Sequence, residues 1–352
     1  MSHSISNPQT PHRHLPNDRS DTRSKKAQKW HPFLAAGLFL GLVGCATGSK
    51  PPESATPGTP TVVAASSVLC DLTETLAAET VNLECLIDRD RDPHTYTATP
   101  SDREIIEKAQ LILYNGHGFD PAVKSLVEAT QNTAPKIAVN EEAVSQPLMG
   151  HHHHHEEEEK HEEEKHEAEV EEPDPHIWHN AKNAIAMVEV IGDRLRSTNP
   201  QQAALYTKNA DRLIQELEDL DRWIKAQIAT IPEGKRTLVT THDALGYYAK
   251  AYDLDALESL QGLSSDEEPT PSRVKELVEI VRETQVPTIF VEFTANDKTL
   301  ETVAREAGVT VSSRQLRTDG LGEKDSDTGT YIGMMKNNTC AIVEGLGGQC
   351  QP

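Results

Sequence analysis

Two kinds of metal-seeking residue stand out in this chain: a continuous tract of imidazoles and carboxylates, and isolated histidines each next to proline or aspartate. The tract runs from Gly150 to Glu172 and holds His151, His152, His153, His154, His155, His161 and His166 among eleven glutamates. Such a segment offers many weak ligands to a transition metal and almost nothing that could build a core. It lies mid-chain and runs on into the glutamates, which a terminal purification tag would not do. The isolated candidates are His94 in Asp92-Pro93-His94-Thr95-Tyr96, His176 in Asp174-Pro175-His176-Ile177-Trp178, His242 in Thr241-His242-Asp243 and Asp319 in Thr318-Asp319-Gly320-Leu321. Three imidazoles and one carboxylate make a tetrahedral zinc set. Proline immediately before His94 and His176 restrains the backbone and helps fix where each imidazole points. Catalytic zinc, by contrast, keeps an open coordination position and a general base beside its water, often signalled by His-Glu-x-x-His. That motif is absent and four ligands fill the ion, so the expectation is a metal carrier and not an enzyme.

Charge and address narrow the class. A net charge of -22 over 352 residues argues against nucleic-acid binding, which needs a basic face. Near the N-terminus a basic stretch (Arg13, Arg19, Arg23, Lys25, Lys26, Lys29) precedes an apolar run from Phe33 to Val43 that is short for a membrane span. Residues 1–44 read as a signal peptide. Leu42-Val43-Gly44-Cys45 is similar to a bacterial lipobox, in which Cys45 becomes the lipidated first residue of the mature chain. Residues 45–60 then read as a Pro/Thr/Ser/Gly-rich tether that holds a folded body away from a bilayer, outside the cytoplasmic membrane. The other cysteines, Cys70, Cys85, Cys340 and Cys350, are even in number, as an oxidising compartment favours. Four cysteines allow three pairings, and proximity in sequence favours Cys70 with Cys85 and Cys340 with Cys350. No Cys-x-x-Cys spacing suggests thiolate zinc.

These residues need a frame. Short apolar runs at Thr61–Ala65, Val81–Ile87, Leu111–Tyr114 and Lys136–Val139 alternate with helical periodicity such as Ser101–Gln110, the pattern of a parallel α/β domain. Ser101-Asp102-Arg103-Glu104 reads as a capping box. Residues 61–180 form this first lobe, with the His/Glu tract as a loop at 150–172. Ala181–Arg196 and Pro200–Ile228 read as long amphipathic helices meeting at Asn199-Pro200, a stiff connector over 181–232. Residues 233–352 form a second α/β lobe, with strands at Thr237–Thr240, Thr288–Val291 and Val309–Ser312 and helices at Ala244–Tyr252, Ser272–Glu283 and Lys298–Ala307. Two α/β lobes face each other across a cleft at their strand ends, where open sheets place ligands.

Four segments in order, Asp92–Asp102, Asp174–Trp178, Thr241–Tyr248 and Thr330–Met335, resemble the metal-binding solute-binding proteins of zinc and manganese ABC importers. Asn115–Asp120 and Ser264–Ser272 add to the resemblance, which spans about Thr61 to Asn338. It implies two α/β lobes joined by a long helix and clamping one ion, with His94, His176, His242 and Asp319 as ligands. It also implies a permease and its ATPase as partners, and a monomeric carrier. Histidine at position 242 matches the zinc carriers, where manganese carriers usually have a carboxylate, and imidazole suits zinc on chemical grounds. The His-rich acidic insertion is also typical of the zinc branch. His179 is a competing ligand whose other reading is a polar residue opening the connector helix. Glu292 is the rival of Asp319, and His117 is a loop residue near the cleft.

Overall fold

Short strands build the first sheet, the two central ones buried on both faces and the edge ones partly exposed. The computed structural model describes residues 58–152, 170–293 and 297–351. The chain begins β1 (Thr61–Ala64), α1 (Ser67–Ala77), β2 (Asn82–Cys85), α2 (Pro100–Lys108), β3 (Leu111–Tyr114), α3 (Pro121–Ala129), β4 (Lys136–Ala138) and α4 (Val139–Ala143). All pairs are parallel in the order β2-β1-β3-β4. Period-two alternation on β1 sends Val62 and Ala64 to one apolar cluster with α1, and Val63 to another with Ile106 of α2 and Val123 and Val127 of α3. The capping box of α2 lies two residues earlier than expected. Asp102 accepts from the Thr99 N–H at 2.6 Å and the Thr99 hydroxyl accepts from the Asp102 N–H at 3.3 Å. Pro100 explains the shift, because its fixed φ suits the first helical position, where no N–H is required.

The rim of the His/Glu tract is a hairpin and not a loop. β5 (Met149–His152) and β6 (Val170–Pro173) pair antiparallel from Met149 opposite Pro173 to His152 opposite Val170. Ladder bonds use only the backbone, so the side-chain chemistry of the tract did not announce them. Gly150 is required by a close approach, since a Cβ there would meet Leu263 Cδ2 at 2.5 Å. Residues 153–169, with most of the tract, lie outside the described residues, as do the signal segment, Cys45 and the tether as far as residue 57.

Two long helices follow, α5 (Ala181–Thr198) and α6 (Ala203–Ile228), separated by a 3-10 turn at Pro200–Gln202. They pack on each other, but their partners differ: α5 also packs on α1, α4 and β3, whereas α6 lies against α1 and the final helix. The first residue of α5, Ala181, also donates its N–H to the Tyr252 hydroxyl at 3.2 Å, and α6 is about 39 Å long at 1.5 Å per residue. Leu213, Leu217, Leu220 and Ile224 bury one stripe of α6.

The second lobe contains β7 (Thr237–Thr240), α7 (Gly246–Ala251), β8 (Ala256–Ser259), α8 (Pro271–Thr284), β9 (Thr288–Ile289), α9 (Asp297–Ala307), β10 (Thr310–Val311) and α10 (Tyr331–Gly345). β7 pairs with β8 and β9 with β10, all parallel, and the Phe290 N–H donates to the Val239 carbonyl at 2.8 Å to join the pairs. β8 and α10 were not read as elements, β8 because Ala-Leu-Glu-Ser lacks a β-branched run. α7 starts two residues later than expected because the Ala244 N–H turns back to the His242 carbonyl at 3.0 Å. One apolar cluster holds residues from both lobes, including Trp178, Tyr206, Leu217, Tyr248 and Met334. Disulfides join Cys70 to Cys85 and Cys340 to Cys350, with Cα atoms 6.0 and 5.1 Å apart. Among the described residues no helix is long and apolar enough to cross a membrane.

Candidate metal centre

Each sequence-derived candidate lies outside the regular elements, the three histidines on segments that follow strands. His94 follows β2, and its N–H donates to Asp92 Oδ1 at 2.9 Å. His176 follows β6, and Asp174 Oδ1 accepts from both its N–H at 2.9 Å and its Nδ1 at 2.8 Å. His242 follows β7 and is held by Glu292. One Glu292 oxygen accepts the N–H groups of Thr241 and His242 at 3.0 and 3.1 Å, and the other meets His242 Nδ1. Asp319 lies in the loop before α10, where the preceding carbonyl of Thr318 accepts from Trp178 Nε1 at 3.2 Å and His179 Nε2 at 2.8 Å. On the other side the Leu321 N–H donates to the Ser67 hydroxyl at 2.9 Å.

These supports converge four ligand atoms on one small volume. One atom from each of His94, His176, His242 and Asp319 lies within 4.8 Å of all the others. His94 Nε2, His176 Nε2 and His242 Nε2 stand 3.7, 3.4 and 3.3 Å from Asp319 Oδ1, and the first two nitrogens are 3.3 Å apart. His176 and His242 are 0% exposed and Asp319 1%. A carboxylate only accepts, so the Nδ1 atoms facing Asp174 and Glu292 carry the protons, and each neutral ring aims its Nε2 lone pair inward. Lone pairs converging on a carboxylate in a dry site repel unless a cation or protons lie between them.

Burial pulls His176 down, but hydrogen bonds and charge from Asp174 and Asp319 outweigh it and hold the ring above its ordinary value. Burial likewise opposes charge on His242, yet the carboxylates of Glu292 and Asp319 raise it well above that range. Asp319 is pushed up by burial and pulled further down by the charge of His242 and the hydrogen bonds of His176, His242 and His94, ending well below the usual carboxylate range. The pocket therefore favours positive charge against an ionised Asp319, which a divalent ion supplies by displacing protons.

The rival residues fall into other places. His179 is buried outside the four-atom cluster, with Nε2 committed to the Thr318 carbonyl. Burial first, and then the neighbouring charge of His176, lower it to about 3, so it stays neutral. Its bond to the Thr318 carbonyl makes it a prop beneath the Asp319 loop. Glu292 also stays outside the cluster: it is a positioning carboxylate, with Thr318 donating a further hydroxyl bond to it at 3.1 Å. His117 is half-buried, with a backbone N–H donating to Glu141 Oε1 at 3.0 Å, and takes no part. Asp92 and Asp174 were not among the candidates, although each stands two residues before a histidine whose N–H it accepts, a spacing that signals the role. Glu292→Gln keeps the shape but loses the charge that orients His242, so metal affinity should fall about 10- to 100-fold in a titration, with the melting temperature little changed.

Comparisons with known proteins agree with the geometry. The model of the family described as ZnuA, zinc-uptake complex component A, periplasmic, matches residues 62–345. The manganese-binding lipoprotein MntA of Halalkalibacterium halodurans is 33% identical over 285 residues, covering 81% of this chain and 88% of that protein. The manganese ABC transporter substrate-binding lipoprotein scaA of Streptococcus gordonii is 32% identical, covering 88% of this chain and 95% of its own. Among solved structures, the periplasmic zinc binding protein TroA of Treponema pallidum superposes with TM-score 0.73 at 29% identity, over 82% of this chain and 99% of that one. Fe(III)-bound YtgA of Chlamydia trachomatis gives TM-score 0.71 at 25% identity, over 83% and 100%. With parallel sheets flanked by helices, a long shared helix and a buried His/Asp cluster between them, the chain belongs to the periplasmic zinc-uptake component A family, whose members are solute-binding proteins of ABC transporters and not enzymes.

Proposed function

We propose that this protein captures Zn2+ outside the cytoplasmic membrane through His94, His176, His242 and Asp319 and delivers it to the membrane permease and ATPase of an ABC importer. The observation that carries this reading is the convergence of three Nε2 atoms and one carboxylate oxygen, two of the rings being oriented by carboxylates on Nδ1. A nitrogen-rich tetrahedral set suits zinc, whereas manganese favours more oxygen donors. Manganese is the second reading, because five relatives, MntA and scaA among them, carry it in their names. Elemental analysis of the protein recovered from the cells that export it separates them. Zinc at about one tight equivalent per chain is expected. Manganese as the bound metal, in cells supplied with both, would overturn the zinc assignment and leave the carrier role intact.

The remaining parts fit the same role. A lipid on Cys45 and the following tether keep a monomeric body near its permease, which supports export and anchoring as the reading of the N-terminus. The histidines of the tract serve as auxiliary ligands that gather or sense zinc beside His176, weaker than the cleft because they lack a fixed geometry. Deleting residues 153–169 keeps the β5–β6 hairpin strands; calorimetry should then lose the weak zinc equivalents and retain one tight site. Loss of the tight site would place the tract within it.

A further inference from the structure

A solute buried this deeply needs a way out, and one residue stands in a position to control it. A small cavity of about 10 Å3, room for a single water, reaches Asp319 between Asp90 and Arg91 of the first lobe and Phe293 and Arg317 of the second. Asp319 is 1% exposed at its floor, while Phe293 is 39% exposed at its rim. Arg317 lines the cavity beside both. Its guanidinium pairs with the Asp90 carboxylate across the lobes and lies 3.9 Å from the centre of the Phe293 ring. Its backbone is clamped, with the N–H donating to Asn338 Oδ1 at 3.0 Å and the carbonyl accepting from Asn338 Nδ2 at 2.7 Å. The main chain beside Asp319 is thus pinned by Asn338, whereas the side chain is held only by the Asp90 pair and the Phe293 stack. Asp90 is itself set at φ 60°, and its N–H donates to the Leu321 carbonyl at 3.3 Å, so both jambs of the opening are fixed to the Asp319 loop.

We infer that Arg317 is the door of the metal site, a side chain that sets how fast a divalent cation enters and leaves without determining how tightly it is held. Two physical effects act together. The guanidinium and its stack on Phe293 close the opening sterically, and a positive charge in a narrow mouth repels a cation passing through it. Asp90 offsets that charge and holds the guanidinium in place. None of these groups is among the four metal ligands, so the closed, loaded state has the same ligand set whether Arg317 is present or not. A door lowers or raises one barrier seen from both sides; a latch that held the lobes together would instead change the depth of the bound state.

This inference rests on the proposed zinc site, and the experiment separates the two. In the full mature chain, zinc loading is followed by stopped-flow tryptophan fluorescence and release by transfer to an excess of a chromogenic chelator. Arg317→Ala should speed loading and release alike, by about tenfold, which corresponds to about 1.4 kcal/mol of barrier, with Kd changed by less than about threefold. Phe293→Ala, at a half-exposed position that tolerates truncation, should act in the same direction and stands in if Arg317→Ala fails to fold. Unchanged rates in both variants would overturn the inference. So would faster release alone with Kd weakened in proportion, the signature of a latch. If the wild-type chain takes up no tight zinc, the functional reading fails and the door falls with it, whereas tight uptake with unchanged variant rates overturns the door alone.

Discussion

His242→Ala should remove tight zinc binding while leaving the protein folded. His242 supplies a buried Nε2 to the cluster, and its loss leaves three donors. Removing an outer partner of a metal-bound imidazole costs about 10- to 100-fold, so removing the imidazole itself should exceed about 100-fold in Kd. The control is His179→Gln. His179 is equally buried and lies three residues from His176, but its Nε2 is spent on the Thr318 carbonyl, and a glutamine amide can donate the same bond. Zinc affinity in that variant should stay within about threefold of the parent, a small effect of the kind expected when a hydrogen bond is kept. Isothermal titration of both variants decides the matter. Tight binding that survives His242→Ala, or disappears in His179→Gln, would mean that the ligand set is wrong.

The second large effect is on pH. In the ligand-free protein His176 and His242 both sit above the ordinary imidazole value, for the reasons given above. Raised imidazoles contribute stability that is fully present below the unfolded value near 6.5 and is lost as pH rises through the folded value. Asp319, depressed, contributes stability present above its unfolded value of 3.8 and lost as pH falls through its lower folded value. Between these limits the ligand-free pocket is a protonated cluster around an ionised Asp319. Zinc must displace those protons, so its apparent affinity falls as pH drops through the raised imidazole values, by about tenfold per pH unit for each proton released. The decline therefore begins above pH 6.5, earlier than for a free imidazole. Thermal unfolding with and without zinc, at about pH 8 and about pH 5.5, should show a large zinc-induced rise in Tm at the higher pH and little at the lower. A zinc-induced rise that is independent of pH would show that no imidazole proton is exchanged for metal.

Much of the frame was legible because local chemistry and global fold agree. Leu111–Tyr114 and Thr237–Thr240 are short, apolar and buried on both sides, and periodicity located them to the residue. Pro before His94 and His176 marked stiff segments at strand ends, where an α/β fold puts its ligands. Boundaries governed by main-chain bonds were less visible. The box at Thr99 and Asp102 was displaced by Pro100, and the hairpin at the base of the tract left no side-chain pattern. β8 was missed because Ala256–Ser259 are only half-buried, so its pairing with β7 comes from the backbone more than from an apolar face.

The site divides in the same way. Residue type and the company of proline or aspartate determined which side chains suit a metal, because imidazole and carboxylate chemistry is a property of single residues. Choosing among them needed distance. His94 and Asp319 are separated by most of the folded chain, and only the packing of both lobes on α6 brings their ligand atoms together. His176 and His179 are indistinguishable as residue types, yet the first reaches the cluster and the second is committed to the Thr318 carbonyl. Glu292 and Asp319 are likewise equal as carboxylates, and Glu292 is excluded because the N–H groups of Thr241 and His242 have already claimed it. By itself the sequence determined the trade and the short list of ligands. The tertiary structure alone decided which atoms point inward, since lone-pair direction is fixed by the hydrogen bonds behind each ring, and those partners come from distant parts of the chain.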